Sequence, residues 1–259
     1  MSPLNAFWIS VAIVVSAKTV AWLMQLRTGN AGLVDAIWAW TLGGLAVFYA
    51  VAGNAPGGTG IVLGLMGGLW GLRLGTHLWR RNYGKPEDFR YAEFREKWGS
   101  RANFNMFWFF QFQNIFTLLL SASAFIAIAY RPDVPSSSAV LAAGLIWVAS
   151  VVGEGIADSQ MEAFRHNPAN KGRVCREGLW AWSRHPNYFF ECLHWVAYLP
   201  LALDAPWGWT ALAAPLVMAF LLTKLSGMPI LEAEMARRKP GYADYIRTTS
   251  ALIPWPPKD

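Results

Sequence analysis

The sequence predicts an all-α, polytopic membrane protein with seven transmembrane helices and short cytoplasmic interfacial helices, in a single domain over residues 1–259. Three observations predict it. Hydrophobic residues make up 54% of the chain and charged residues 15%, with 15 Trp and a mean hydropathy of +0.27, which excludes an ordinary soluble domain. The apolar residues fall into long runs with few charges, each about long enough to cross roughly 30 Å of hydrocarbon as a helix. The Lys and Arg residues cluster in alternate connections between those runs, as in membrane proteins, so the net charge of +6 reports topology rather than nucleic-acid binding.

The expected spans are 6–24, 31–51, 58–79, 106–130, 139–158, 187–203 and 208–225. Inside lipid every backbone polar group must be satisfied within its own segment, so each is a helix. No basic stretch precedes the first run, which is therefore read as a retained span rather than a cleaved signal. Lys18, inside it, is expected to snorkel to the membrane surface. The third span carries Gly64, Gly67, Gly68, Gly71 and Gly75, small residues that let helices approach closely. The connection 82–101 is charged and aromatic and predicts an interfacial helix from Glu87 onward, and 229–239 predicts another. Proline closes the tail at Pro254, Pro256 and Pro257, which no helix interior accepts.

Basic residues stand at Arg80, Arg81, Lys85, Arg90, Arg95 and beyond, again from Arg165 to Arg184, and again in the tail, while the intervening connections 54–59, 131–138 and 204–207 hold only Arg131. The positive-inside rule then places the N-terminus outside and the C-terminus in the cytoplasm. With that orientation the ionisable groups at membrane depth share one half of the bilayer. Asp35 lies about one turn into the second span. Arg73 and His77 are four apart in the third and face the same way. Gln113 and Asn114 sit in the fourth span, Glu154 and Asp158 end the fifth, and Glu191 and His194 begin the sixth. Such residues are costly in lipid and mark function by default. Together they describe a polar cavity open to the cytoplasm. The bland alternative for Asp35 is a buried ion pair with Arg73. Cys175, Cys192 and the four histidines give neither a disulfide framework nor metal-ligand spacing, so no metal is expected.

The densest motif is Arg184-His185-Pro186-Asn187-Tyr188, followed by Glu191. Pro186 favours an extended residue before it and suits the first turn of a helix. Arg184 and His185 should thus stand just outside a helix start, with Asn187 and Glu191 one above the other on its first turns. An arginine beside a helix N-terminus is a natural anion site.

This motif, with the Tyr242-Ala243-Asp244-Tyr245…Ile253-Pro254 tail, resembles the steroid 5α-reductase family, above all its bacterial membrane members. The resemblance covers most of the chain from Asp35 onward and is most specific from Asp158 to Pro254. It implies a seven-helix membrane enzyme that uses NADPH to reduce the conjugated double bond of a 3-oxo-Δ4 steroid or similar apolar enone. By resemblance, Asp158 and Arg165, seven apart, match the family's acidic and basic cofactor ligands. Arg173 matches a second cofactor arginine, and Asn187 and Glu191 the asparagine and glutamate after the helix start. The implied cofactor set, in the half from about residue 150 on, is Asp158, Arg165, Arg173, Arg184, His185, Asn187, Tyr188, Glu191 and Tyr245. Arg73 matches an arginine of the third helix. Two departures stand out: the family's catalytic tyrosine falls at Trp70, and its partner glutamate is best matched by Asp35. The expected catalytic groups are therefore Asp35, Arg73 and His77, with Tyr91 as a substitute phenol.

The same Arg-His-Pro-x-Tyr element occurs in sterol reductases and in isoprenylcysteine carboxyl methyltransferases, and the pair Glu232 and Glu234 is similar to the latter. The alternative function is thus an S-adenosylmethionine-dependent membrane methyltransferase. A third reading is a non-enzymatic lipid-binding scaffold. NADPH brings three phosphates and S-adenosylmethionine none, so the arginines favour NADPH. The expected partners are an apolar substrate entering from the bilayer and membrane lipids, with no nucleic acid and no obligate protein partner.

Overall fold

The computed structural model describes residues 1–258, and among these the regular structure is helical throughout. The helices are α1 (Pro3–Thr28), α2 (Leu33–Ala52), α3 (Thr59–Asn82), α4 (Phe89–Trp98), α5 (Ala102–Ala129), α6 (Ser137–His166), α7 (Pro186–Val196), α8 (Leu199–Ala202), α9 (Ala213–Phe220), α10 (Met228–Arg238) and α11 (Tyr242–Thr248). Six helical stretches are long and apolar enough to cross a membrane: Pro3–Thr28, Leu33–Ala52, Thr59–Asn82, Phe89–Ala129, Ser137–His166 and Gly208–Arg238. The chain is an all-helical membrane protein.

Local sequence sets the helix ends. Ser2 caps α1 by accepting the Asn5 N–H at 3.2 Å, Pro3 occupies the first turn, and Gly29 ends the helix in the left-handed conformation at φ 67°. Asp88 caps α4 by accepting the Arg90 N–H at 3.1 Å. The helices expected within 82–101 and 229–239 exist as α4 and α10.

The sixth expected span, 187–203, is not one continuous helix. α7 has 11 residues, and the helix resumes only as the four residues of α8. At 1.5 Å per residue α7 covers roughly 16 Å, about half the hydrocarbon thickness. The break precedes Pro200, which has no N–H to give and whose ring crowds the carbonyl one turn earlier.

The chain divides into two compact units. The first comprises Met1–Ser137 with Leu199–Ala214 and contains α1 to α5. At one end, the Met1 amine donates to the Ala52 carbonyl at 3.4 Å, and the Asn54 and Ala55 N–H groups both reach the Ala129 carbonyl at 3.0 Å. Arg131, 2% exposed, closes that end by donating to the Leu201 carbonyl and to Asp204. At the opposite end, Asn30 donates to the carbonyls of Asn82 and Lys85, and Glu87 accepts from Ala31 N–H and from Arg95. The cations between Arg80 and Arg101 belong to this second end. α2 and α3 touch backbone to backbone. A Cβ on Gly71 would stand 2.6 Å from Gly43 Cα, and one on Gly75 2.3 Å from Trp40 Cδ1, so only glycine permits the approach.

Lys18 does not snorkel. Its side chain is buried at 2% exposure inside this unit, and Nζ donates to Gln113 Oε1 at 2.7 Å. Gln113 supplies an acceptor that the lipid lacks, and that fixes the amine inward.

The second unit comprises Ser138–Tyr198 and the chain from Pro215 on. α7 packs on α6 where Phe190 covers Gly153, since a Cβ there would stand 2.3 Å from the ring. Phe164, Cys175 and Trp180 form its small apolar core. A π-helical turn at Leu221–Leu225 separates α9 from α10.

Candidate functional site

In the second unit, the motif residues are organised by the tail. The 3-10 turn Gly178–Ala181 is pinned to α6: Leu179 N–H donates to Gln160 Oε1 at 2.9 Å and Trp180 Nε1 to the Ala157 carbonyl at 2.9 Å. Gly178 adopts φ 57°, and any Cβ there would strike the Gln160 amide. Pro186 then starts α7, with His185 just outside it.

Arg184 is buried at 9% exposure. Its Nε donates to Glu232 Oε1 at 2.7 Å and Nη2 to Glu232 Oε2 at 3.2 Å, a two-point pairing with a carboxylate of α10. Nη1 donates to the carbonyls of Ile246 and Thr249. Four hydrogen bonds thus occupy a side chain with five N–H groups. His185 Nε2 lies 2.9 Å from the same Glu232 oxygen, and its ring stacks on Tyr188 with centroids 5.2 Å apart. The phosphate contact expected of Arg184 has almost no donor left to make it. The side chain instead fastens the tail beneath the motif.

Tyr245 behaves in the same way. Its hydroxyl donates to the carbonyls of Trp180 at 2.5 Å and Ser183 at 3.2 Å. Burial first, and then the neighbouring Tyr242, push its phenol above the usual tyrosine range. Tyr242 is pushed up to about 12, by burial and then by Glu232. Both phenols therefore remain protonated. Ser183 extends the seam with a bridge to Ser250 and a bond from Oγ to the Leu252 carbonyl at 2.8 Å.

Other expected residues lie elsewhere in the unit. Asp158 is half-buried on α6, and Arg165, seven residues on, is exposed in its last turn. Arg173 is exposed, donating Nη1 to Asn170 Oδ1 at 3.4 Å. Lys239 Nζ donates to the Arg173 carbonyl at 2.8 Å. Burial, and then the positive charge of Arg165, hold the Lys239 ammonium below the usual lysine range. Arg165 and Lys239 are thus held as like charges beside the Arg173 backbone, a donor set suited to an anion. Lys239 was not anticipated; its place at the end of a predicted helix was the only signal. Asn187 is half-buried on the first turn of α7, and Glu191, one turn later, is buried and accepts from Trp195 Nε1 at 3.1 Å.

In the first unit, Asp35 stands in the first turn of α2. Its Oδ1 accepts from the Tyr91 hydroxyl at 2.7 Å and its Oδ2 from Arg90 Nη2 at 3.0 Å. The partner expected from α3, Arg73, is replaced by two neighbours from α4. Asp88 holds Arg90 from the other side, at 2.9 Å from Nε. Burial pushes the Asp88 carboxyl up, but Arg90 outweighs it and keeps the group below the usual carboxylate range. Tyr91 is 4% exposed and packs among Ala21, Val34, Ile37 and Phe110. Arg73 and His77 are half-buried on successive turns of α3. Trp70 is fully buried, its ring edge-on to Trp38.

The family described as "Protein of unknown function (DUF1295)" matches residues 21–249. An uncharacterized protein of Schizosaccharomyces pombe is 26% identical over 240 residues, covering 81% of this chain and 69% of its own length. No solved structure matches. The family match takes in the Asp35 group, the Arg184 motif and most of the tail. The chain belongs to the DUF1295 family, which is steroid 5α-reductase-like in general.

Proposed function

We propose that this chain is an NADPH-dependent membrane reductase acting on the conjugated double bond of an apolar enone such as a 3-oxo-Δ4 steroid. The observation that carries the reading is the approach of Lys239 to Arg165 beside the Arg173 backbone, where burial and then the Arg165 charge hold the ammonium below its usual range. Like charges held this close are relieved by phosphate, whose oxygens suit arginine donors. S-adenosylmethionine offers no phosphate.

In this reading Arg165, Arg173 and Lys239 hold the cofactor phosphates. Asp158 and Asn187 take ribose or amide groups, and Glu191 orients the carboxamide. His185 and Tyr188, stacked on one another, form a wall of the same site. Arg184 and Tyr245 act as positioning residues, through the tail they fasten. Bound NADPH supplies the hydride. The substrate's ketone oxygen gains negative charge as the double bond is reduced, and a donor already in place stabilises that charge without reorganisation. Asp35 and Tyr91 share the proton for this task, with Arg90 balancing the carboxylate and Arg73 and His77 completing the set.

The reading also includes a seventh crossing, made by the broken segment α7–α8. Leu201 and Asp204 are bound to Arg131 at the end of the first unit away from its basic connections, while the chain before Pro186 is basic. The N-terminus is then outside, α4 and α10 lie at the cytoplasmic surface, and the C-terminus is cytoplasmic, in a bacterial inner membrane.

The test is calorimetry on the detergent-purified chain with NADPH, NADH and S-adenosylmethionine. NADPH should bind most tightly, and Arg173→Ala should weaken it about tenfold or more, the loss of a charge-assisted contact. A preference for S-adenosylmethionine would replace this reading with the methyltransferase.

A further inference from the structure

We propose that a cavity in the C-terminal tail binds the phosphodiester headgroup of an anionic phospholipid from the cytoplasmic leaflet. The cavity holds about 170 Å³, and its lining includes Arg247, Thr248, Ser250, Trp255, Pro256 and Lys258. The Lys258 N–H donates to the Thr248 carbonyl at 2.8 Å, so the tail folds back and closes one side. Cofactor and drug-sized pockets run to roughly 300–1,000 Å³, which makes this one too small for a dinucleotide and of a size for a headgroup.

Its charge is unbalanced. Asp244 accepts from Arg247 at 2.8 Å and from Arg176 at 2.9 Å, so one carboxylate serves two guanidinium groups. The hydrogen bonds from Arg176 and then Arg247 hold the Asp244 carboxyl below its usual range. Lys258 adds a third cation, and its side chain makes no hydrogen bond or ion pair among the described residues. The Thr248 hydroxyl gives its proton to the Asp244 carbonyl at 2.9 Å, and the Ser250 hydroxyl completes the donor set for phosphate oxygens.

The rim identifies the source of that phosphate. Trp255 is 67% exposed and Ile253 63%, and the Trp255 N–H donates to the Trp182 carbonyl at 3.0 Å, which brings a second exposed indole into the same patch. Soluble ions need no such apolar rim. Indoles beside cations match the headgroup level of a bilayer, and the tail's basic residues place it at the cytoplasmic leaflet, where anionic lipids concentrate. The site is separate from the Arg165–Arg173–Lys239 group and does not depend on the reductase reading.

The experiment is native mass spectrometry of the full chain in detergent. It is titrated with phosphatidylglycerol or phosphatidylcholine, with inorganic phosphate as competitor, and melting is followed in parallel. Phosphatidylglycerol should be retained over phosphatidylcholine, and millimolar phosphate should not displace it. Lys258→Gln and Arg247→Gln should each weaken phosphatidylglycerol retention roughly fivefold, the effect of one basic residue near an anionic surface. Trp255→Ala should weaken retention of both lipids. Unchanged retention in well-folded Lys258→Gln overturns the proposal, and that variant removes no internal contact, so it serves even if Arg247→Gln melts early. Equal retention of the two lipids by the wild type, or displacement by phosphate, overturns it as well.

Discussion

The phenol of Tyr91 donates to Asp35 across 2.7 Å, joining α4 to the first turn of α2. Arg90 takes the other carboxylate oxygen at 3.0 Å and is itself held by Asp88. The acid and the phenol of the first unit are thus one hydrogen-bonded pair. The carboxylate of α2 is thus paired with a buried phenol of α4 rather than with a residue of α3.

Tyr91→Phe keeps the ring and removes the proton. It should cost about 1–3 kcal/mol of stability, because one donor to a charged group is lost while Arg90 still holds Asp35. Cofactor affinity should be nearly unchanged, and enone reduction should fall about 10²–10³-fold, as for other donors that act on charge formed in the transition state. Thermal melting, NADPH binding and progesterone reduction measured together decide the matter. A destabilised variant with wild-type turnover would make the pair purely structural. Asp35→Asn, which also disturbs Arg90, should lose more stability than Tyr91→Phe.

Arg184 and Glu232 give a contrasting outcome. Their side chains are 9% and 18% exposed, and His185 shares the same carboxylate. Removing one partner of a buried pair leaves the other uncompensated and typically costs about 3–5 kcal/mol. Glu232→Gln should therefore lower the melting temperature and expose the tail to trypsin at Arg237, Arg238 and Arg247. Loss of NADPH affinity without any change in melting or proteolysis would return Arg184 to the phosphate-binding role.

Lys239 supplies a pH signature. Burial and Arg165 hold its ammonium below the usual lysine value, so between the depressed value and ~10.4 the unfolded chain carries a proton that the folded chain lacks. Lys239's contribution to stability therefore rises with pH across that window. A bound phosphate favours the ammonium and reverses the preference. Affinity for NADPH should fall as pH rises through the window, with proton uptake on binding, and Lys239→Gln should flatten the curve. Titrations in buffers of different ionisation enthalpy measure the uptake directly. A wild-type curve as flat as the variant's would separate Lys239 from the ligand.

Much of this was legible from the sequence, and the exceptions share a cause. The apolar runs of α1, α2, α3, α5 and α6 follow from composition alone, because lipid leaves the backbone no other choice. The start of α7 at Pro186 was legible from proline chemistry. Its early end was not, because the run through Leu203 stays apolar and only Pro200 marks the break. Which charges pair was also hidden. Arg184 meets Glu232 across 48 positions and Asp35 meets Tyr91 across 56, and no local spacing encodes such partners. Lys18 was misplaced for the same reason: its acceptor, Gln113, is 95 residues away.

The Arg131–Asp204 pair tests the topology. Arg131 is almost fully buried, yet Asp204 is half-exposed, and the guanidinium's hydrogen bond keeps the Asp204 carboxyl below its usual range. If the broken segment α7–α8 completes a crossing, residues beside Asp204 face the outside and residues beside Lys97 face the cytoplasm. Pro206→Cys and Lys97→Cys, each in a Cys192→Ser background, separate these sides; Cys175 is buried. An impermeant maleimide added to intact cells should label the first and spare the second until the cells are opened. Protection of Pro206→Cys with labelling of Lys97→Cys would reverse the orientation, placing Arg131 and Asp204 on the cytoplasmic side, and the depths assigned to Glu191 and His194 would then be wrong. Arg131→Gln adds an independent check. It takes the guanidinium from both the Leu201 carbonyl and Asp204, so α8 should loosen, and hydrogen exchange at Leu199–Ala202 should rise while exchange in α3 stays unchanged.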